Sequence, residues 1–174
     1  QWMHLRGVGS TTALTTMSSA PVEFFTLRLN PGEIYHLPFP VTYHGKEVAQ
    51  TLEALEVMFR ADVDPKRIAA MIIEPVQGEG GFYVAQAELL AGLRKICDEH
   101  GILLISDEVQ TGWGRTGEHF WGIEAHGVVP DAMTFAKGLG NGMAIGGVVA
   151  RPELMDSLTA QSLSTFGGNP IATA

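Results

Sequence analysis

The chain has 174 residues, of which 45% are hydrophobic and 17% are charged, a balance typical of one globular domain with a buried core. The formal net charge is -8 and no basic stretch occurs, which excludes a nucleic-acid partner and an anionic membrane surface. The single cysteine, Cys97, excludes a disulfide framework within one chain, so we expect a soluble, cytoplasmic protein whose partners are small molecules or a second copy.

The chain divides into two parts by its hydrophobic pattern. Residues 1–46 show weak periodicity and carry a turn signal at Asn30-Pro31-Gly32, so we predict an irregular N-terminal segment, mostly loop with short strands. The main body follows over residues 47–174. It opens with apolar residues at helical spacing, which predict an amphipathic helix over residues 47–60.

Three segments then predict a strand, a helix and a second strand. Ile68 to Ile73 and Ile102 to Ser106 are apolar throughout, which is typical of parallel strands covered by helices on both faces. Gln86 to His100 carries apolar residues on one face only, and Gly101 follows it as a C-cap. This β-α-β unit predicts the α/β fold class.

The remaining elements extend the same sheet. A short helical stretch near residues 120–125 precedes a third strand over residues 132–136. The glycine-rich connection that follows is too short for a parallel crossover, so we predict that the strand over residues 146–150 is antiparallel. Pro152 then favours the first turn of a helix over residues 151–158.

Polar side chains follow the three predicted strands where each one ends. Glu74 and a run of glycines come after the first strand, Asp107-Glu108 after the second and Lys137 after the third. Ligands of open α/β sheets bind beyond the carboxyl ends of the strands, so we expect two acids and an amine to face one crevice. The six histidines show no metal-ligand spacing, and we assign no metal site.

This set of groups meets the needs of an aldehyde cofactor such as pyridoxal phosphate. Such a cofactor requires a lysine for the imine and a carboxylate that keeps the pyridine nitrogen protonated, and Lys137 and Asp107 fit these needs. We expect burial at the strand end to desolvate Lys137, which favours the neutral amine. Taken singly, each residue has a plainer interpretation as a surface charge or a helix cap. A P-loop NTPase is a distant third alternative, because the chain has no G-x-x-x-x-G-K-[ST] loop.

Four segments in order resemble the signatures of class III (omega) aminotransferases. They are Glu74-Pro-Val-Gln-Gly-Glu-Gly-Gly81, Asp107-Glu-Val-Gln-Thr-Gly-Trp-Gly-Arg-Thr-Gly117, Thr134-Phe-Ala-Lys137-Gly and Thr165-Phe-Gly-Gly-Asn-Pro170. The resemblance implies a fold-type-I, pyridoxal-phosphate-dependent transferase with a mostly parallel seven-stranded sheet and one antiparallel strand. Residues 47–174 would form the central part of its cofactor-binding large domain. It also implies a homodimer with a shared active site.

The resemblance assigns a role to each of seven residues. Lys137 would hold the cofactor as an imine and then move the substrate proton as general base and acid. Asp107 would pair with the pyridine nitrogen, Val109 would pack on the ring and Gln110 would approach the ring hydroxyl. The remaining implied roles are a position near the ring for Glu74, pairing with a substrate-gating arginine for Glu79, and contact with the partner subunit's cofactor phosphate for Thr165.

The implied reaction moves an amino group from an amino acid or omega-amino acid to an oxo acid such as glyoxylate, pyruvate or 2-oxoglutarate. Within the family, the sequence around His119-Phe120-Trp121 looks most like the alanine-glyoxylate type, and 4-aminobutyrate and acetylornithine transaminases are alternatives. A second hypothesis is an inactive fragment or pseudoenzyme. It is motivated by Met3-His4-Leu5-Arg6, where the family has an aromatic-His-Gly-Arg motif, and by the absence of the family's phosphate loop and C-terminal domain.

Overall fold

The computed structural model describes residues 2–6, 34–157 and 170–173, with side chains over residues 34–157 and 170–171. The described residues contain six strands in a single sheet of order β2-β1-β3-β4-β5-β6. The strands are β1 (Trp2–Arg6), β2 (Ile34–Pro38), β3 (Ala70–Ile73), β4 (Leu103–Asp107), β5 (Ala132–Phe135) and β6 (Gly147–Ala150). The first five are parallel and β6 runs antiparallel to β5, which confirms the predicted α/β class with one antiparallel strand.

Two long helices and two short ones accompany the sheet in this part of the chain. They are α1 (Val48–Ala61), α2 (Ala87–His100), α3 (Pro152–Asp156) and α4 (Pro170–Thr173). Short 3-10 helices occupy residues 42–44, 65–67, 122–126 and 137–140. The bounds lie close to the predicted ones, but Asp107 is the last residue of β4 rather than the first after it.

The predicted irregular segment contributes two strands to this sheet. β1 lies between β2 and β3 and pairs with both in parallel. The chain therefore reaches the edge strand β2 and the inner strand β1 before it enters α1, and the sheet extends beyond the strands predicted from the main body.

The strands bury side chains on both faces, as their continuous apolar pattern predicts. Alternate residues of a strand point to opposite faces, so Met71 and Ile73 enter a large core with the leucines of α1 and α2. Ala70 and Ile72 enter a smaller cluster with Ile105 on the other face. The two long helices thus both contribute to the larger core, and the four residues of β3 are all buried.

A buried carboxylate ties three strands and α2 together at the end of the sheet where β5 begins. Asp131 is 7% exposed, and its Oδ2 accepts hydrogen bonds from Arg94 Nη1 at 2.8 Å and from the Leu104 amide at 2.7 Å. Its Oδ1 lies 3.1 Å from Arg151 Nη2. Arg94 is a charged residue of the amphipathic helix α2, yet its side chain reaches inward to this buried acid.

Replacement of Asp131 by alanine is expected to cost about 3 kcal/mol of unfolding free energy, because it leaves a half-buried guanidinium and a buried amide without their acceptor. Urea denaturation of the full-length protein measures this loss. Asp98→Ala is the matched control, since Asp98 pairs with the same Arg94 at 2.7 Å but is 67% exposed. That variant should lose less than about 1 kcal/mol. Equal losses of unfolding free energy in the two variants would show that the buried Arg94–Asp131 pair stabilises the fold no more than the exposed Arg94–Asp98 pair does.

Candidate functional site

The carboxyl end of β4 places Asp107 beside Thr134 of β5. The two residues are register partners in the parallel pair, and Asp107 is only 7% exposed. Its Oδ1 accepts hydrogen bonds from the Val109 amide at 3.1 Å and from Thr134 Oγ1 at 3.2 Å. No residue within 34–157 donates a hydrogen bond to Oδ2. One oxygen is thus fixed by the protein, and the other retains its acceptor capacity.

The charge state of Asp107 reflects its burial. Desolvation raises the pKa of this carboxyl above its ordinary value, and the negative charge of Glu108 acts in the same direction. The hydrogen bonds from Val109 and Thr134 and the positive charge of Lys137 lower the pKa but do not offset the burial. The ionised form of Asp107 therefore gains from any further cationic group placed at its Oδ2.

The loop that follows β3 brings a second acid to the same edge. Glu74 is half-buried, and its Oε2 accepts a hydrogen bond from the Gly78 amide at 2.9 Å. Desolvation raises the pKa of Glu74, the Gly78 hydrogen bond lowers it, Asp107 raises it and Lys137 lowers it. Strands β3, β4 and β5 are adjacent and parallel, so Glu74, Asp107 and Lys137 follow or end neighbouring strands at the same edge of the sheet.

The same loop packs against the side chain of Gln110. A Cβ atom at Gly78 would lie 2.5 Å from both Cγ and Nε2 of Gln110, so only glycine permits this approach. A Cβ at Gly80 would meet Oε1 of the fully buried Gln77 at 2.8 Å. Two glycines thus seat two glutamine side chains, one inside the candidate site and one behind it.

Lys137 begins a short 3-10 turn directly after β5. Its φ of +40° lies in the left-handed region, which non-glycine residues adopt at a cost of about 1 kcal/mol or more. Lys137 is exposed, because this turn carries its side chain away from the sheet edge and into solvent. The expectation that burial desolvates its amine is therefore wrong for this structure. In the part of the chain that the structure describes, no carboxylate lies within 4.0 Å of its amine. Glu79 is also exposed.

An aromatic cluster borders the Lys137 turn. Trp113, at a φ of +65°, packs edge-on against Phe120, Trp121 and Phe135, with ring centroids 5.0 to 5.4 Å apart. Its Cδ1 would lie 3.9 Å from a Cβ at Gly138. The cluster thus supports the backbone that follows Lys137 from one side.

Two residues of this edge were missed by sequence reasoning: Thr134 holds Asp107, and Gly78 seats Gln110. Glu108, which the sequence placed with Asp107 at the strand end, is fully buried behind the site instead of facing the crevice. Thr134 could have been found from strand alignment, since it occupies the same level of β5 as Asp107 does of β4. Among the predicted site residues, Thr165 lies outside the described part of the chain. Over that part, no group of three His, Cys, Asp or Glu residues is arranged to hold a metal ion.

Solved structures with the same architecture define the class of fold. An (S)-enantioselective omega-transaminase from Thermomicrobium roseum superposes with a TM-score of 0.78 at 33% identity, over 99% of this chain and 41% of that one. Ornithine delta-aminotransferase of Plasmodium falciparum gives a TM-score of 0.69 at 28% identity, over 99% of this chain and 36% of that one. The chain is therefore part of an α/β domain of the fold-type-I transferases, as the sequence predicted.

Sequence comparison identifies the family within that class. The family profile "Aminotransferase class-III" matches residues 8–174. The 5-aminovalerate aminotransferase DavT of Pseudomonas putida is 49% identical over 147 residues, which cover 84% of this chain and 34% of the relative. The 4-aminobutyrate aminotransferase GabT of Escherichia coli is 46% identical over 145 residues, which cover 83% of this chain and 34% of GabT. The chain belongs to the class III aminotransferase family.

The chain spans about a third of the length of the curated relatives it matches. A further relative, an acetylornithine aminotransferase of Caldanaerobacter subterraneus, is 44% identical over 151 residues, which cover 87% of this chain and 37% of the relative. The names of GabT and of this enzyme fall on the 4-aminobutyrate and acetylornithine alternatives of the sequence analysis, and the 5-aminovalerate of DavT was not among them. No helix in the described ranges is long and apolar enough to cross a membrane.

Proposed function

We propose that the protein is a pyridoxal-phosphate-dependent transaminase and that this chain is the central part of its cofactor-binding large domain. The observation that carries the proposal is the convergence of Glu74, Asp107 and Lys137 at the carboxyl edge of β3, β4 and β5. The overall reaction would move an amino group from an amino acid or omega-amino acid to an oxo acid such as glyoxylate, pyruvate or 2-oxoglutarate. Family membership and the transaminase fold of the structural neighbours support it.

The donor set of this edge fits pyridoxal phosphate. Asp107 offers an oxygen that no described residue occupies, next to one that Val109 and Thr134 hold in place, which suits a pyridine N–H. Lys137 offers an exposed amine that no described carboxylate within 4.0 Å neutralises. When bound, pyridoxal phosphate supplies an aldehyde that accepts amino groups and a protonated ring that withdraws electrons from the substrate carbon.

The residues of the chain then have separate tasks. Lys137 would hold the cofactor through its amine and would serve as the general base and acid for the substrate proton. Asp107 would stay ionised beside the ring nitrogen and hold its proton there. Val109 would pack on the ring, and Gln110, seated by Gly78, would donate to the ring hydroxyl.

Two acids and one threonine would complete the surroundings. Glu74, which is half-buried and has a pKa raised mainly by desolvation, would lie near the ring. Glu79 would pair with an arginine that gates the substrate carboxylate. Thr165 would reach the cofactor phosphate of the partner subunit, so the active form would be a homodimer.

A cytoplasmic location forms part of the same proposal. The only cysteine, Cys97, is a buried free thiol, and desolvation raises its pKa to about 12, so it does not form a reactive thiolate. A chain that depends on no disulfide suits a reducing compartment. The substrates would be small molecules, with no nucleic-acid or membrane partner.

Cofactor and substrate panels on the full-length protein test the function. Titration with pyridoxal phosphate should produce a visible absorption band, and 4-aminobutyrate, 5-aminovalerate, N-acetylornithine and alanine should each be assayed with 2-oxoglutarate, pyruvate and glyoxylate. Turnover of one donor with one acceptor is the expected result. The 174-residue chain is titrated in parallel. If the full-length protein binds no cofactor and turns over no donor, the alternative of an inactive family member is correct.

Replacement of Gly78 by alanine is expected to weaken cofactor binding about tenfold, because the new methyl group occupies space taken by Gln110. The dissociation constant is measured by absorption titration. Gly80→Ala is the matched control, since its clash involves Gln77 outside the site, and it should lower stability while leaving cofactor affinity within twofold.

A double-mutant cycle separates steric from general effects. In a Gln110→Ala background the side chain that collides with residue 78 is gone, so the Gly78→Ala substitution should have little further effect on cofactor affinity. Additive effects of the two substitutions would contradict the view that Gly78 acts through Gln110.

A further inference from the structure

Glu108 is a completely buried acid next to the proposed cofactor-binding aspartate, and the proposed reaction gives it no task. Its side chain is 0% exposed, and no lysine, arginine or histidine of residues 34–157 lies within 4.0 Å of its carboxylate. A buried carboxylate without an ion pair is costly unless its oxygens are fully hydrogen-bonded. The donors of these hydrogen bonds therefore identify the segments of the chain that the Glu108 carboxylate holds together.

Four donors from two separate stretches of the chain meet the Glu108 carboxylate. Its Oε1 accepts from Ser106 Oγ at 3.0 Å and from the Ile123 amide at 2.9 Å. Its Oε2 accepts from the Gly122 amide at 2.8 Å and from Thr111 Oγ1. A carboxylate offers about four acceptor positions, so this group of five residues, called here the Glu108 clamp, uses all of them.

The Glu108 clamp closes the loop over residues 111–122 at its base. It joins the end of β4 and the turn after it to the start of the 3-10 segment Gly122–His126. The approach is tight, because a Cβ at Gly122 would lie 2.6 Å from Cβ of Thr111. The Glu108 backbone is fixed as well: its amide donates to the Thr134 carbonyl at 2.8 Å, and its carbonyl accepts from the Gly112 amide at 2.8 Å.

The turn held by the clamp carries the groups proposed to meet the cofactor. Neighbouring residues of an extended chain point to opposite sides, so Asp107 faces the candidate site while Glu108 faces the interior. Val109, whose amide orients the Asp107 carboxylate, and Gln110 lie between the two clamp residues Glu108 and Thr111. A shift of this turn would therefore move two groups together: Asp107, proposed to pair with the ring nitrogen, and Gln110, proposed to meet the ring hydroxyl.

We infer that Glu108 is a positioning residue for the proposed transaminase: its buried carboxylate sets the turn that presents Asp107, Val109 and Gln110 to the cofactor. This inference rests on the proposed function. Glu108→Gln keeps the size of the side chain but turns two acceptor positions into N–H donors, which then face the Gly122 or Ile123 amide or a hydroxyl. We therefore expect Glu108→Gln to break the hydrogen bonds at one side of the clamp without leaving a cavity.

The first measurement needs no cofactor. In the cofactor-free full-length protein, Glu108→Gln should speed amide hydrogen exchange at Gly122 and Ile123 at least tenfold. Glu124→Gln is the matched control, because Glu124 also accepts from this loop, from the Trp121 amide at 2.9 Å, but is exposed. It should leave exchange at those two amides within twofold. Unchanged exchange in Glu108→Gln overturns the clamp, whatever the protein catalyses.

The second measurement asks whether the clamp acts on the site. Glu108→Gln should weaken pyridoxal phosphate binding at least tenfold and shift the pH midpoint of its absorption band by half a unit or more. Asp131→Asn, a buried acid at the other end of the strands, should lower the melting temperature but leave affinity and midpoint unchanged. If Glu108→Gln also changes only the melting temperature, the positioning role is wrong. If the wild type itself binds no cofactor, the proposed function fails instead.

A milder pair of variants covers the case in which Glu108→Gln does not fold. Thr111→Val removes one donor of the clamp, and Thr111→Ser keeps it. Thr111→Val should weaken cofactor binding about threefold and shift the absorption midpoint in the same direction, and Thr111→Ser should restore both. Equal behaviour of the valine and serine variants overturns the inference.

Discussion

Alanine in place of Lys137 should lower the transaminase rate of the full-length protein by at least about 10⁴-fold, because one amine would supply both the cofactor anchor and the proton carrier. The visible band that depends on covalent attachment should also disappear. Thermal stability should change little, since Lys137 is exposed and alanine bears the cost of its left-handed backbone about as well as lysine does. Initial rates, absorption spectra and thermal melts measure the three effects.

Two further arms make the Lys137 result specific. Lys95→Ala removes another exposed lysine, which lies 3.8 Å from Glu99 on α2, and should leave rate and spectrum unchanged. A small amine such as methylamine, added at high concentration to Lys137→Ala, should restore part of the rate, because the missing group is a base rather than a structural contact. A Lys137→Ala variant with the wild-type spectrum would remove this residue from the proposed mechanism.

Replacement of Asp107 by asparagine should reduce the rate about 10³-fold and weaken cofactor binding, because an amide does not hold a proton on the ring nitrogen. Asparagine can still accept hydrogen bonds from the Val109 amide and Thr134 Oγ1, so the turn should remain in place. A crystal structure of the variant checks the geometry, and rates with saturating cofactor separate the loss of chemistry from the loss of binding.

Asp107→Asn should lower activity without lowering the stability of the cofactor-free protein, because the pKa of Asp107 is raised in the folded chain. Below its ordinary pKa of 3.8 the carboxyl is protonated in both folded and unfolded chains. As pH rises through the window up to the raised folded pKa, the unfolded chain releases its proton first, so the stability contribution of this group is lost. At neutral pH the cofactor-free Asp107→Asn protein should therefore be at least as stable as the wild type. Denaturant titrations at pH 4 and pH 7.5 test this.

A loss of stability at pH 7.5 without cofactor would contradict that expectation. It would show that the Asp107 charge stabilises the empty fold, and that burial is not the dominant effect on its pKa. Thr134→Val serves as a companion variant, since it removes one donor that lowers this pKa. Loss of this donor should raise the pKa of Asp107, and the pH midpoint of cofactor binding should therefore move to a higher pH.

The features that the sequence predicted well are those that neighbouring residues determine. The end of α2 is one example: Gly101 has a φ of +69° and its amide donates to the Cys97 carbonyl, as expected for a glycine after an apolar helical stripe. The antiparallel direction of β6 is another, because the length of the connection from Lys137 to Ile145 decides it. The alternation of β3 between two clusters also follows from its continuous apolar pattern.

The features that escaped prediction depend on pairs of residues far apart in the chain. Strand β1 enters the sheet between β2 and β3, and no local pattern specifies that neighbour relation. Arg94 resembled a solvated charge because its partner, Asp131, lies 37 residues later. Glu108 resembled a cap for the next helix, yet the amides it meets at Gly122 and Ile123 are 14 and 15 residues away.

Strands β4 and β5 carry different kinds of chemistry at their two ends. At one end, the Asp131 network fixes the Leu104 amide and Arg151. At the other end stands Asp107, about 10 Å along β4 from Leu104, and Lys137 follows the end of β5. Within residues 34–157, no hydrogen bond or ion pair joins the Asp131 network to the loops that border the candidate site, so a change in those loops leaves this anchor of the sheet intact. The relatives of this chain carry names as different as 5-aminovalerate aminotransferase and leucine/methionine racemase. One end of these strands therefore anchors the sheet, and the other carries the candidate site.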